Sequence, residues 1–376
     1  MKKIVFLTGT RADYGKLKSL ITMVEAAPDF QAHIFVTGMH MLHKYGFTVQ
    51  EVEKSGYKNV YKYINQHAAD TMDVILAKTI TGLSDYVKEV QPDMIVVHGD
   101  RVEAMAGAIV GSLNNILVSH IEGGEVSGTI DELIRHAVSK MAHLHYVSNE
   151  TAKKRLLQLG ETERSINVIG SPDLDIMSSG SLPTLNEALD RYDIPFDDFG
   201  VLMYHPVTTE LEMLAENIKC VVDAVITSNK NFVVIYPNND HGTDVIINEY
   251  KRFEGRDNIR IFPSVRFECF LTLLKYSKIV IGNSSAGVRE APFYGIASLD
   301  IGTRQKNRAT AQSITNLPND ADIILRKINS EYGKKYDAFH EFGVGESDQL
   351  FMASVYSEEL WETEKQKMFV DFEELK

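Results

Sequence analysis

Short runs that are almost wholly apolar alternate along this chain with longer stretches in which apolar residues recur every three or four positions. Runs at 3–7, 33–36, 94–97, 116–119 and 144–147 carry mostly Ile, Val, Leu, Phe and Met. A strand with one solvated face alternates apolar and polar residues, so continuous runs of this length predict strands buried on both faces. Between them, 14–26, 71–90, 102–112 and 131–141 have helical spacing. Strand and helix in alternation predict right-handed crossovers and a parallel sheet covered on both sides, a Rossmann-like domain.

The texture changes around 170–195, where Gly170-Ser171-Pro172, Ser178-Ser179-Gly180-Ser181-Leu182-Pro183 and Asp193-Ile194-Pro195 concentrate turn residues. This predicts a linker region, with a boundary near residue 175. Alternation then resumes, with strands expected at 201–204, 232–236, 259–262, 279–282 and 297–301. The predicted fold class is therefore α/β, with two Rossmann-like domains at 1–175 and 176–376. The segment 349–364 carries Leu350, Phe351, Val355, Leu360 and Trp361 and is expected to form a long helix that packs back on the first domain. No short-period repeat or low-complexity tract interrupts the pattern.

Composition sharpens this in a few places. The 376 residues suffice for two cores. A net charge of -13 argues against a nucleic-acid or anionic-membrane partner, both of which need a basic face. A small anion stays open if positive residues gather locally. Cys220 and Cys269 form no CxxC pattern, which argues against a disulfide scaffold or thiolate metal site and fits a reducing cytoplasm. Lys2-Lys3 and the brief apolar run after them are followed at once by Arg11 and Asp13, unlike a signal peptide, and no later run is long enough to span a bilayer.

Candidate chemistry falls where predicted strands end: Thr8-Gly9-Thr10-Arg11, Thr37-Gly38-Met39-His40, His98-Gly99-Asp100-Arg101, His120-Ile121-Glu122-Gly123-Gly124-Glu125, His205-Pro206, Pro237-Asn238-Asn239 and Gly282-Asn283-Ser284-Ser285. In open α/β sheets the ligand crevice lies outside the carboxyl ends of the strands. Motifs of both halves meet only if the two crevices face each other, which predicts a ligand in the cleft between domains. A P-loop needs four residues between its glycines, whereas Gly9 and Gly15 are separated by five and Lys16 is followed by Leu17. The dinucleotide fingerprint needs glycine where Arg11 stands, so an NAD cofactor is not expected. What remains is a strand-to-helix turn with Arg11 and Lys16 near a helix start, where free N–H groups favour an anion.

The matching element of the second half is 282–290, whose small residues permit a tight turn and whose Ser284 and Ser285 add hydroxyl donors for a diphosphate. A plain helix cap by either serine is the alternative. Arg266, Arg289, Arg304 and Arg308 lie in the surrounding segments and favour bound phosphate. Asp100, Glu122 and Asp131 crowd the strand ends of the first half, with Glu125 and Glu132 as weaker candidates. Histidines 98, 120, 136, 143 and 145 match no zinc spacing, so no metal is expected.

Gly9-Thr10-Arg11-Ala12-Asp13-Tyr14-Gly15, His98-Gly99-Asp100-Arg101, His120-Ile121-Glu122-Gly123-Gly124-Glu125, Asp131-Glu132, Tyr204-His205-Pro206 and 282–290 together resemble the hydrolysing UDP-N-acetylglucosamine 2-epimerases. The likeness extends over nearly the whole chain and weakens after about residue 320. It implies a glycosyltransferase B type of fold and release of UDP with inversion at C2 of the sugar. The product would be N-acetylmannosamine for sialic acid synthesis. Close relatives act instead on UDP-N,N'-diacetylbacillosamine for legionaminic acid. The non-hydrolysing branch usually has Gly-Thr-Arg-Pro-Glu where this chain has Gly9-Thr10-Arg11-Ala12-Asp13, which favours hydrolysis. The resemblance implies Asp100, Glu122 and Asp131 as proton carriers, with His205 beside the leaving phosphate. It assigns Ser284 and Ser285 to the diphosphate and Glu290 to the ribose hydroxyls, with Arg11, Asn239 and Arg266 near the UDP. No cofactor is implied, the partners are the UDP-sugar and UDP, and a homodimer or homotetramer in the cytoplasm suits the family. A UDP-sugar glycosyltransferase and a non-catalytic nucleotide-sugar sensor are the other readings.

Overall fold

The computed structural model describes residues 1–67, 70–127, 130–238, 240–305 and 311–371. The chain divides into two compact units, one of residues 1–125, 131–180 and 341–376, the other of 126–130 and 181–340.

The first unit is built on β1 (Lys2–Thr8), β2 (Phe30–Val36), β3 (Val60–Lys62), β4 (Met94–His98), β5 (Leu117–Ile121), β6 (Leu144–Val147) and β7 (Ile166–Val168). All neighbours are parallel, in the order β3-β2-β1-β4-β5-β6-β7. Strand order reverses between β1 and β4. The Arg11–Ala26 helix covers one face by burying Leu17, Leu20, Ile21 and Val24 in a core with Ile4, Phe6, Ile34 and Val96. The Val102–Leu113 helix lies against the other face at close range: a Cβ on its Gly107 would fall 2.4 Å from Val97 Cγ1. Only a residue without a side chain permits that approach.

The second unit repeats the plan with β8 (Gly200–Met203), β9 (Phe232–Ile235), β10 (Ile259–Phe262), β11 (Val280–Gly282), β12 (Ser298–Ile301) and β13 (Ile314–Leu317). These are again parallel, in the order β10-β9-β8-β11-β12-β13, and the order reverses between β8 and β11. Ile218, Val221, Val222 and Val225 of the Leu214–Ser228 helix pack with Leu202, Val234 and Ile281 in its core. Both sheets are the Rossmann-like α/β arrangement that the alternation predicts.

Three strands escape the sequence pattern, β3, β7 and β13, and each is short or only partly buried. The turn-rich stretch expected as linker contains two helices, Asp173–Ser178 and Leu185–Arg191, the second closed by a capping box between Thr184 and Glu187. The single long helix expected near the C-terminus is two, Ser347–Val355 and Glu358–Trp361. The break lets the Trp361 indole donate to Val355 O at 2.9 Å and stack on Phe30 at 6.2 Å. Asp175 caps the first of these helices, accepting from the backbone of Ser347 at 2.8 Å and of Asp348 at 3.0 Å. Phe351 then inserts fully buried beside Phe6 and Tyr146, with ring centroids 6.5 and 4.9 Å away. No helix among the described residues is long and apolar enough to cross a membrane.

Because Phe351 belongs to the core of the first unit, Phe351→Ala should cost on the order of 3–5 kcal/mol of stability. Chemical denaturation followed by circular dichroism checks it; a loss under about 1 kcal/mol would mean the last helices are peripheral.

Candidate active site

The first cluster forms where the order of strands reverses in the first unit. Thr10 caps the helix after β1, its hydroxyl accepting from Asp13 N at 3.1 Å, while Asp13 Oδ2 accepts from Gly9 N at 2.8 Å. The Thr10 cap starts the helix at Arg11, earlier than the apolar spacing indicates. The second oxygen of Asp13, Oδ1, lies 3.1 Å from His98 Nδ1 at the end of β4, an ion-pair contact rather than a linear hydrogen bond. The other ring nitrogen, Nε2, lies 3.0 Å from Glu122 Oε2.

Glu122 follows β5 and adopts a left-handed backbone, φ 62°. A non-glycine residue there is uncommon, and such conformations gather at functional sites. Its buried carboxylate also accepts from the Ser171 hydroxyl and faces Lys16 Nζ at 3.4 Å; Lys16 in turn lies 3.4 Å from Asp173 Oδ2. Lys16 thus stands inside a helix between two carboxylates, not at the helix start where an anion would meet it. Burial lowers the pKa of His98, but Glu122 and Asp13 outweigh it and the net shift is upward.

A second cluster lies beside it in sequence. Asp100 is hydrogen-bonded by buried Arg135, whose Nη1 is 3.4 Å from Glu125 Oε2, and Ser148 donates to Glu125 at 2.7 Å. Asp131 and Glu132 occupy the first turn of the Ile130–Met141 helix, where a negative charge is favoured. Glu132 lies 3.7 Å from His136. Arg11 is paired with Glu51 at 2.5 Å.

His120, His143 and His145 make scaffold contacts. His120 joins Gly99 O at 2.8 Å and Ser139 Oγ at 3.0 Å, tying the ends of β4 and β5 to the Ile130–Met141 helix. His143 contacts Val118 N and Lys365 O, and His145 is 3.0 Å from Glu161. Among the described residues no group of three or more His, Cys, Asp or Glu is arranged to hold a metal.

In the second unit the polar residues again sit at the reversal, between β8 and β11. Asn283 clasps the chain after β8: its Oδ1 accepts from His205 N at 2.7 Å and its Nδ2 donates to His205 O at 2.9 Å. His205 Nδ1 accepts from Asn238 N at 3.1 Å, which fixes the neutral tautomer with its hydrogen on Nε2. Gly282, φ 131°, is required because a Cβ would fall 1.8 Å from Met203 O. Ser284 caps a 3-10 turn, Ser285–Gly287, and only then comes the four-residue Glu290–Phe293 helix. No continuous helix follows Ser285; the small residues form the tight turn that the sequence suggests. Glu290 is buried at the start of the short helix. Arg304 Nη1 and Gln305 Nε2 both donate to Asn283 O, at 3.2 and 2.9 Å. Arg266 precedes the Phe267–Tyr276 helix without a capping side-chain bond, and its Nε lies 3.0 Å from Glu268. Asn239 and Arg308 lie outside the described residues.

Sequence reasoning singled out Glu122, His98 and Lys16, but not that they meet, and it missed Ser171 and Asp173. Ser171 and Asp173 follow β7, and recognising that strand would have placed them at a strand end like the others.

The described residues thus form two Rossmann-like units, with buried carboxylates at one strand reversal and an amide-and-hydroxyl turn at the other. The family model described as UDP-N-acetylglucosamine 2-epimerase matches residues 22–355. The UDP-N-acetylglucosamine 2-epimerase of Neisseria meningitidis serogroup B is 45% identical over 375 residues, covering 99% of both chains. The UDP-N,N'-diacetylbacillosamine 2-epimerase (hydrolyzing) of Legionella pneumophila is 32% identical over 339 residues, covering 89% of this chain and 90% of the relative. A crystal structure of UDP-GlcNAc 2-epimerase from Neisseria meningitidis bound to UDP-GlcNAc shares the fold, with a TM-score of 0.80 at 18% identity over 94% of this chain and 99% of that one. The chain belongs to the UDP-N-acetylglucosamine 2-epimerase family.

Two buried histidines of the first unit give a pH prediction. Burial lowers His40 to about 4 and His120 to about 3, His40 being held between Thr8 and Thr48 hydroxyls. The folded rings stay neutral while the unfolded ones take a proton below about 6.5, so protons favour unfolding. Stability should fall as pH drops from about 6.5 to about 4, by on the order of 3 kcal/mol for His40. Denaturant midpoints across that range test it, and His40→Gln should flatten the slope; an unchanged slope would count against a neutral His40.

Proposed function

We propose that this protein is a hydrolysing UDP-N-acetylglucosamine 2-epimerase that releases UDP and N-acetylmannosamine. The observation that carries the proposal is the buried Glu122 carboxylate, held by His98, Ser171 and Lys16 at the end of β5, with Asp100 and Asp131 close by in sequence. A C2 proton is weakly acidic, so its removal needs a fixed base while the leaving group departs. In the proposed route C2 loses its proton as the C1–O bond to UDP breaks, giving a 2-acetamidoglucal. Water then bonds to C1 and gives up a proton, and another proton is delivered to the opposite face of C2. Asp100, Glu122 and Asp131 are the proposed proton carriers.

His205, with Nδ1 already accepting, offers an Nε2–H donor suited to a leaving phosphate. Ser284 and Ser285 are proposed for the diphosphate and Glu290 for the ribose, with Arg11, Arg266 and Asn239 as further nucleotide contacts. Hydrolysis is supported by the relative named as hydrolyzing, which matches over 89% of this chain. That relative's substrate makes a UDP-N,N'-diacetylbacillosamine 2-epimerase the second reading. A homodimer or homotetramer in a reducing cytoplasm, feeding sialic acid synthesis, completes the proposal; Cys220 and Cys269 are both free thiols.

Incubation with UDP-N-acetylglucosamine in deuterated water, followed by NMR, should yield UDP and free N-acetylmannosamine carrying deuterium at C2. UDP-N-acetylmannosamine would instead mark a non-hydrolysing enzyme, and turnover of the bacillosamine substrate alone would favour the second reading. Asp100→Asn, Glu122→Gln and Asp131→Asn should each lower kcat by roughly a hundred- to ten-thousandfold. Losses under about tenfold in folded variants would remove these residues from the chemistry.

A further inference from the structure

His98 stands between two carboxylates that the sequence motifs do not connect. Its side chain is only 11% exposed, with Nδ1 3.1 Å from Asp13 Oδ1 and Nε2 3.0 Å from Glu122 Oε2. The charged groups around it come from several elements: Asp13 and Lys16 from the Arg11–Ala26 helix, Glu122 from the turn after β5, Asp173 from the Asp173–Ser178 helix, and Asp100 and Arg101 from its own loop. His120, on β5, is held neutral by burial.

An ionised carboxylate only accepts, so a neutral imidazole would turn a lone pair toward one of the two. A hydrogen on each ring nitrogen removes the conflict. Charge balance points the same way, since Asp13, Glu122 and Asp173 bring three negative charges to the cluster and Lys16 one positive. We propose that His98 is a positioning residue, held as an imidazolium between Asp13 and Glu122, that keeps Glu122 ionised and aimed for abstraction of the substrate proton. The purpose of that charge rests on the epimerase proposal; the charge itself does not.

Burial lowers the pKa of His98, but Glu122 and Asp13 overcome it and the net shift is upward, in the direction of the charged ring. His98→Gln retains a donor for Glu122 but no charge, so Glu122 should hold its proton to higher pH. The acid limb of the kcat/KM profile should then move up by about one unit or more. Asp13→Asn removes one of the two carboxylates that hold the charge, and His98 should lose its proton at lower pH, moving the basic limb down. Parallel loss at every pH in His98→Gln would indicate a structural role and overturn the proposal.

Nitrogen-15 NMR of the histidine-labelled wild-type protein supplies a readout that needs neither turnover nor a variant that folds perfectly. Both His98 ring nitrogens should show imidazolium shifts at neutral pH, and a neutral-tautomer pattern there would overturn the assignment. If the wild type failed to release UDP from the sugar nucleotide while His98 proved to be an imidazolium, the epimerase proposal would fall and the charge state would stand.

Discussion

The reversal of strand order is the constraint from which the chemistry of each unit follows. On either side of a reversal the crossover connections leave in opposite directions, so the two strand ends open a gap that backbone does not fill. The first unit closes its gap between β1 and β4 with the ion pair of Asp13 and His98. The second closes the gap between β8 and β11 with two hydrogen bonds between the Asn283 side chain and the His205 backbone, one accepted and one donated by the amide. In both, the residue nearest the candidate chemistry is also the one that holds the neighbouring strands' exits together.

The two closures differ in kind. Asp13, His98, Glu122, Lys16 and Asp173 form a buried ionic cluster, in which removing one partner strands another charge in a poor solvent. Such a cluster is costly to build, and its contacts fix the Glu122 carboxylate in place. Around Asn283 the donors are largely neutral: backbone N–H groups, the Gln305 amide and serine hydroxyls, with Arg304 added. These donors are spent on holding the turn itself, so the exit of β11 is fixed by directed hydrogen bonds to Asn283 and His205 and not by paired charges.

Much of this was legible in the sequence because burial on both faces leaves continuous apolar runs, and ten of those runs end at or near the ends of observed strands. Where the signal failed, burial was incomplete: β3, Val60–Lys62, and β7, Ile166–Val168, are three residues long with exposed or half-buried positions. The loss of β7 had a consequence for the site, since Ser171 and Asp173 then read as linker. Glu122, His98 and Lys16 each stood out, but not their meeting, because Lys16 reaches Glu122 from a helix 106 positions away. Sequence spacing carries local geometry, and a cluster assembled across a parallel sheet is set by the order of its strands.

Asp13 shows how closely fold and site are joined. It is the third residue of its helix, where a carboxylate completes the cap begun by Thr10, and one of its oxygens is spent on Gly9 N. The other reaches His98. A neutral amide could keep the cap but not the ion pair, while a residue without an acceptor would lose both. The Gly9-Thr10-Arg11-Ala12-Asp13 stretch therefore does two things with a single side chain: it fixes where the first helix begins and sets the electrostatic state of the histidine that holds Glu122. Selection on either task constrains the other, so a helix start that looks like ordinary capping is also where the charge of the site is decided.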